Sequence, residues 1–335
     1  MPNEISPLQT LELSYAKAIN LALHRALNDM PSTILFGEDV AMPGGVFGVT
    51  KDLQKTFGAS RVFDTPISET AMLGTAVGAS MCGIRPIVEI MWIDFSLVAM
   101  DQIVNQAANV RYVSAGKLQA PMTIRTQQGA LPGSCAQHSQ NLEAMYAHVP
   151  GLRVGIAATP QDAYDILLTS IACDDPALVI ENRGLYHTLT DKVTINGPIQ
   201  SSFDAHVTRQ GDDVTIVTWG SMLHRAHEAA DALKSEHGIT ADVINARWIA
   251  PFDWPTLINS VQKTGRLLIV HEANQTGGFG AEIAATIHSK CFASLKKPVM
   301  RLATPDVRMP AAPHLQSALI PSKEKIIQET LALMS

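Results

Sequence analysis

The chain has 335 residues, of which 46% are hydrophobic and 17% charged, and it carries a formal net charge of −6. That length suits two packed domains whose cores need no covalent staple. With no long basic run and no apolar stretch near the ~18 residues of a membrane span, neither nucleic acid nor a bilayer is an expected partner. The four cysteines, Cys82, Cys135, Cys173 and Cys291, form no C-x-x-C pair and no metal spacing, so they read as reduced thiols. Met1 to Leu8 shows neither an apolar signal core nor an Arg-rich amphipathic pattern, and a cytoplasmic location is expected.

In chain order, residues 9–29 place Ala16, Ile19, Leu23, Ala26 and Leu27 at helical spacing, which predicts an amphipathic helix. Thr33 to Phe36 is a short apolar strand that runs into Gly37-Glu38-Asp39-Val40, a polar turn at a strand's C-terminal end. Open α/β sheets bind ligands at that kind of position. Met42 to Thr50, rich in Gly, reads as a surface loop.

Asp64-Thr65-Pro66-Ile67-Ser68-Glu69 then reads as a strand end, a tight turn and a helix start. Pro66 disfavours a helical Thr65, and Ser68 is a candidate cap. The helix continues through Ala71, Met72, Leu73, Gly74, Ala76, Val77, Gly78 and Ala79, and with no polar face it is expected to be buried. Glu69 either complements the helix N-terminus or is a carboxylate held out of water for a purpose.

Pro86 to Met91 is the next strand, leading into Trp92-Ile93-Asp94-Phe95, where an aromatic ring fills core or offers a stacking surface. Residues 96–114 read as a helix and Met122 to Thr126 as a strand. Gln127 to Gln137 is a loop, and Gln137-His138-Ser139-Gln140 is expected to open a helix with Ser139 as its cap. His138 is either a structural or solvent-facing histidine or a proton-transfer group. Thr159-Pro160-Gln161-Asp162 is a strong helix start, and Ala177 to Glu181 is a strand.

Polarity rises over 191–210, which is taken as a linker between domains 1–190 and 211–335. Beyond it, strands at 214–219, 241–246, 266–271 and 299–303 alternate with helices at 223–237, 254–264, 280–290 and 323–333. That alternation predicts a mainly parallel, doubly wound sheet. Gly277-Gly278-Phe279-Gly280 lacks the dinucleotide spacing, so nicotinamide binding is a weak rival.

Several of these stretches, in this order, resemble the β subunit of the thiamin-diphosphate-dependent E1 component of 2-oxoacid dehydrogenase complexes, a transketolase-like family that includes the pyruvate, branched-chain and acetoin enzymes. They are Gly37–Val40, Arg61–Glu69, Ala76–Ala79, Gly83–Pro86, Asp101–Ala108, Gln137–Gln140 and Gly277–Ile283. The resemblance implies an N-terminal pyrimidine-type thiamin-diphosphate-binding α/β domain and a C-terminal transketolase-like α/β domain. It puts Glu69 at the acid that engages the pyrimidine N1′, Phe95 at the ring stacked on the aminopyrimidine, and Ile67 and Met91 at its border. His138 falls at the family's active-site histidine. It also implies a weak K⁺ position at the backbone of Ser170, Cys173 and Asp175.

Thiamin enzymes hold the diphosphate through Mg²⁺ on a Gly-Asp-Gly motif, and none occurs here. Such an ion needs oxygen ligands, so the resemblance implies that an α subunit supplies them in an α2β2 heterotetramer. A lipoyl-bearing E2 acyltransferase and a small 2-oxoacid complete the implied partners. Acetoin cleavage is the close alternative, and a non-catalytic assembly subunit is the alternative from another class. Two stretches depart from the family pattern. Leu131-Pro132-Gly133-Ser134-Cys135 stands where glycine is commoner, and Arg308 and Ala311 stand where relatives often carry Pro and an aromatic.

Overall fold

The computed structural model describes residues 8–335, so Met1–Pro7 of the expected N-terminal domain lie outside the described residues. Contacts divide the chain into two units. The first runs to Gln128 and resumes at Met145–Ser202; the second comprises Gly129–Ala144 and Phe203–Ser335. By contacts, the stretch Gly129–Ala144 groups with the second unit, and the chain returns to the first at Met145.

The first unit contains β1 (Gln9–Ser14), α1 (Tyr15–Asp29), β2 (Thr33–Gly37), α2 (Leu53–Phe57), β3 (Val62–Asp64), α3 (Glu69–Met81), β4 (Arg85–Ile90), α4 (Ile93–Ser96), α5 (Val110–Val113) and β5 (Thr123–Gln128). After α6 (Glu143–Ala147), which straddles the boundary, come β6 (Arg153–Ala157), α7 (Pro160–Ala172), β7 (Ala177–Asn182) and β8 (Thr190–Ile195). Within this unit the strands lie in the order β6-β7-β5-β4-β2-β3, and every pairing is parallel. All six residues of β5 and of β7 are buried, as in a sheet covered on both faces.

Several sequence expectations fail for local reasons. The predicted helix over 9–29 begins only at Tyr15. The stretch before it alternates polar and apolar residues and pairs antiparallel with β8 as β1, with Leu11 opposite Val193. β8, and β9 (His206–Arg209) in the second sheet, take up much of the expected linker. Over 96–114 the helix is broken into a 3-10 turn at Leu97–Ala99, a π turn at Gln102–Gln106, a second 3-10 turn at Ala107–Asn109 and α5. Here side chains compete with the backbone. The Asn109 amide donates to the carbonyls of Val104 and Asn105, and the Asp101 carboxylate gathers the amides of Gln102 and Asn105. Strand β6 has no counterpart in the predicted elements. By contrast, Thr159 and Asp162 form the expected reciprocal cap on α7, with Pro160 at its first position.

The middle of this sheet is charged. Arg125 on β5 is 1% exposed. Its Nη1 donates to Glu89 Oε2 on β4 at 2.6 Å, and its Nε and Nη2 hold Glu181 on β7 at 2.8 and 2.9 Å. The Tyr186 hydroxyl also donates to Glu181. Burial raises the Glu89 carboxyl above its ordinary range against the pull of Arg125, and burial with the nearby Glu181 carboxylate raises Tyr186 strongly. One guanidinium thus ties three adjacent strands together.

The second unit contains β9, β10 (Val214–Thr218), α8 (Met222–His237), β11 (Ala241–Asn245), a short strand β12 (Trp248–Ala250), α9 (Trp254–Thr264), β13 (Leu267–Asn274), α10 (Gly280–Cys291), β14 (Met300–Thr304), α11 (Pro313–Leu319) and α12 (Lys323–Met334). Its sheet runs β14-β13-β10-β11-β9, parallel except for β9. In Gly277-Gly278-Phe279-Gly280, Gly277 takes a left-handed φ of 72°, and Gly278 and Gly280 serve packing. A Cβ on Gly280 would lie 2.6 Å from His271 Nε2, and one on Gly278 would lie 2.7 Å from the same ring. His271 is fully buried, stacks on Trp219 at 5.3 Å and donates from Nδ1 to the Ala273 carbonyl. Burial pushes its pKa down to about 4.

Two outcomes follow. Arg125→Met strands two buried carboxylates and costs about 3–5 kcal/mol in denaturant unfolding. His271, whose proton affinity falls on folding, contributes stability that is complete above its unfolded pKa of about 6.5 and is lost as pH falls through about 4. The loss amounts to about 3 kcal/mol; unfolding of His271→Phe followed by pH titration loses most of that dependence.

Candidate active site

Parallel order puts the C-terminal ends of β2, β3 and β4 side by side, and the residues singled out from the sequence gather there. After β2 comes Glu38, after β3 come Ile67 and Glu69, and after β4 come Met91 and Phe95. The turns are fixed to each other. Thr65 N–H donates to the Gly37 carbonyl at 2.9 Å, and Asp64 Oδ1 accepts from Ala41 N–H at 2.8 Å. Gly37 is required at the junction, because a Cβ there would lie 2.8 Å from the Glu89 carbonyl.

Glu69 is the first residue of α3 and is 8% exposed. Ser68 occupies the cap position, but its hydroxyl makes no capping bond, so the sequence expectation holds for place and not for contact. Ile67 is 80% exposed and projects from the turn, whereas Met91 and Phe95 are half-buried. Phe95 meets Trp92 edge to face at 5.6 Å, Trp92 meets Phe47, and the Arg183 guanidinium lies 5.4 Å from the Trp92 ring centre. α3 is not buried all round, as its composition predicted. Ala71, Thr75 and Gly78, spaced to share one face, are exposed, and a Cβ on Gly78 would meet nothing within 4 Å.

Glu38 is a site residue to which sequence reasoning gave no role. Its carboxyl is held above the ordinary range, first by partial burial and then by the charges of Glu69 and Asp39. The sequence did flag its turn as a ligand position; only folding brings its charge within reach of Glu69.

His138 stands on none of these three turns. It is half-buried in the Gly129–Ala144 stretch, which belongs to the second unit. The helix expected to open at Ser139 does not form. Regular structure resumes at Glu143, and the Ser139 hydroxyl lies 2.5 Å from that of Ser134 instead of capping a helix. The stretch considered for K⁺ is bonded within the chain. The Cys173 carbonyl accepts from Arg85 Nη1 at 2.8 Å, the Ser170 carbonyl accepts from Cys173 N–H, and the Asp175 carboxylate is taken by Arg111 and Arg153. Among the described residues, no group of three or more His, Cys, Asp or Glu side chains is placed to hold a metal ion.

The site thus holds a buried carboxylate, Glu69, at a sheet's C-terminal edge, with half-buried Met91 and Phe95 after the neighbouring strand. Comparison with known proteins gives the family. Residues 12–188 match the pyrimidine binding domain of transketolase and residues 204–326 its C-terminal domain. The β subunit of an acetoin:2,6-dichlorophenolindophenol oxidoreductase from Cupriavidus necator is 40% identical, covering 94% of this chain and 95% of its own. The pyruvate dehydrogenase E1 component subunit beta of Bacillus subtilis is 37% identical (95% and 97%), and the 2-oxoisovalerate dehydrogenase subunit beta of the same organism is 36% identical (94% and 96%). A solved split-gene transketolase, described as an inactive beta4 tetramer, superposes with a TM-score of 0.78 at 21% identity, covering 96% of this chain and 98% of that one, a likeness of fold.

The chain belongs to the transketolase-like family of thiamin-diphosphate-dependent E1 β subunits of 2-oxoacid and acetoin dehydrogenases. No described helix is long and apolar enough to cross a membrane.

The Glu38 carboxyl binds its proton more tightly in the fold, so its contribution to stability is present below the ordinary carboxylate pKa and is lost as pH rises through the raised value. Glu38→Gln accordingly melts higher than the parent at pH 8, and the difference in melting temperature closes toward pH 4.

Proposed function

We propose that this chain is the β half of an E1 that decarboxylates a 2-oxoacid oxidatively and passes the acyl group to lipoamide. The observation that carries the reading is Glu69, a carboxylate 8% exposed at the start of α3, beside exposed Ile67 and half-buried Met91 and Phe95. When bound, thiamin diphosphate supplies the carbanion chemistry. Glu69 holds or shares a proton at the pyrimidine N1′, Phe95 stacks on the ring, and Ile67 and Met91 border it. His138 moves a proton at the substrate or during acyl transfer.

The diphosphate and its Mg²⁺ fall to an α chain, because this sequence has no Gly-Asp-Gly. The exposed small face of α3 supports such a partner, since an apolar helix face left open in one chain suits a neighbour's backbone. The working assembly is then an α2β2 heterotetramer served by a lipoyl-bearing E2. Acetoin cleavage is a second reading, favoured by the 40% identical relative. A weak K⁺ position at the backbone of Ser170, Cys173 and Asp175 is part of the reading and rests on the family resemblance alone.

Co-expression with an α chain encoded beside it tests the proposal. Decarboxylation of pyruvate or a branched 2-oxoacid, followed with thiamin diphosphate, Mg²⁺ and an artificial electron acceptor, requires both chains. Glu69→Gln lowers kcat by about 10²-fold or more. Turnover by the β chain alone, or full activity in Glu69→Gln, overturns the proposal; turnover of acetoin in place of 2-oxoacids selects the second reading.

A further inference from the structure

The loop that carries His138 is fastened at several points, all within the second unit. At its start, Ala130 N–H donates to Glu272 Oε1 at 3.1 Å, while Glu272 Oε2 accepts from Ser221 Oγ at 2.7 Å. Next, Gln316 Nε2 donates to the Leu131 carbonyl at 2.9 Å and to the Pro310 carbonyl at 2.8 Å. Gly133 N–H donates to the Ala311 carbonyl at 3.0 Å. Ser134 Oγ donates to the Leu131 carbonyl at 2.6 Å and lies 2.5 Å from Ser139 Oγ. Past His138, Arg308 Nη1 is 3.4 Å from Gln140 Oε1, and Trp219 Nε1 donates to buried Glu143 at 3.1 Å.

The two stretches that depart from the family pattern are therefore two sides of one contact. Leu131 and Gly133 belong to the first, Arg308 and Ala311 to the second, and Gln316 bridges them. Gln316 sits on α11 and is 4% exposed. Both of its bonds go to main-chain carbonyls, which no change within the loop can remove. The loop has no ladder of its own, and its backbone is left-handed at Gly133 (φ 81°) and Cys135 (φ 55°), so its course depends on such outside donors.

We propose that Gln316, with the 308–311 segment it ties down, is the positioning residue that sets where His138 stands. This rests on the proton-transfer role given to His138 above. Gln316 touches neither substrate nor cofactor in this account. It acts by holding the Leu131 carbonyl, and so the geometry of the seven residues that lead from there to His138.

The test uses Gln316→Met, which keeps length but has no donor, with Ser134→Ala as a second variant on the partly exposed side of the loop. The exposed Ser317→Ala on the same helix is the control. Hydrogen exchange followed by mass spectrometry reads the amides of 129–142. In Gln316→Met they exchange at least about tenfold faster, while β10 amides keep the parental rate. Reconstituted with the α chain, the variant loses about 10–100-fold in kcat with KM little changed, and the pH–rate limb that His138→Gln abolishes is displaced. Ser134→Ala moves both readouts in the same direction; if Gln316→Met fails to fold, Gln316→Glu, which keeps the size of the side chain but loses the amide donor, takes its place and moves both readouts likewise.

Unchanged loop exchange in both variants overturns the proposal. So does faster exchange with kcat and pH profile at the parental values while His138→Gln is impaired. Full activity in His138→Gln overturns the role of His138 itself, and with it the catalytic meaning of the clasp. The exchange data then report separately whether Gln316 holds the loop.

Discussion

Arg125 is the constraint on which the first unit depends. A guanidinium 1% exposed is tolerable only because Glu89 and Glu181 meet it from the strands on either side. The bonds reach across β4, β5 and β7, so the register of three parallel strands and the pairing of three charges are satisfied by the same arrangement. The cluster is also one carboxylate in excess, and burial answers by raising the proton affinity of Glu89. Replacing the set by apolar residues could be neutral for stability; its value here lies in fixing one strand order, and with it the place where the turns after β2, β3 and β4 emerge.

Those turns make the site. A parallel sheet sends its connections out at the C-terminal ends of its strands, so Glu38, Glu69, Met91 and Phe95, separated in sequence, share one edge. The electrostatics follow from that placement. Two carboxylates come within range of each other, and one of them, Glu38, holds its proton more firmly. The chain brings a carboxylate and rings to this edge and leaves a face of α3, marked by Ala71, Thr75 and Gly78, open to solvent.

The second unit uses different means. Its buried polar groups are mostly small and paired: Thr215 meets Ser260 and Thr264, Asp242 is held by Ser260 and Lys263, and a neutral histidine, His271, packs between Trp219 and the glycines at the start of α10. Gly277-Gly278-Phe279-Gly280 thereby has a structural explanation without a nucleotide. The unit also claims Gly129–Ala144 from the middle of the first, and holds it with Glu272, Trp219, Ala311 and Gln316. The residues nearest His138 in sequence are thus governed by residues 76 to 185 positions away.

The sequence by itself determined the class of the fold, most strands and long helices, and the candidates Glu69, Phe95 and His138. Each of these signals is local. Apolar period marks a strand or helix, a Thr-Pro-x-Asp run marks a helix start, and a lone acid after a strand marks a position worth asking about. What only tertiary structure decided depends on partners distant in the chain. Residues 9–14 became a strand because β8 was there to pair with, and 96–114 broke up because Asp101 and Asn109 bound their neighbours. Ser139 lost its helix to a bond with Ser134. Arg125, to which the sequence gave no role, is paired with Glu89 and Glu181 only in the folded sheet. A sequence read along one dimension gives propensity and period; the pairing of a charge or a carbonyl with a group far along the chain is settled only when the chain has folded.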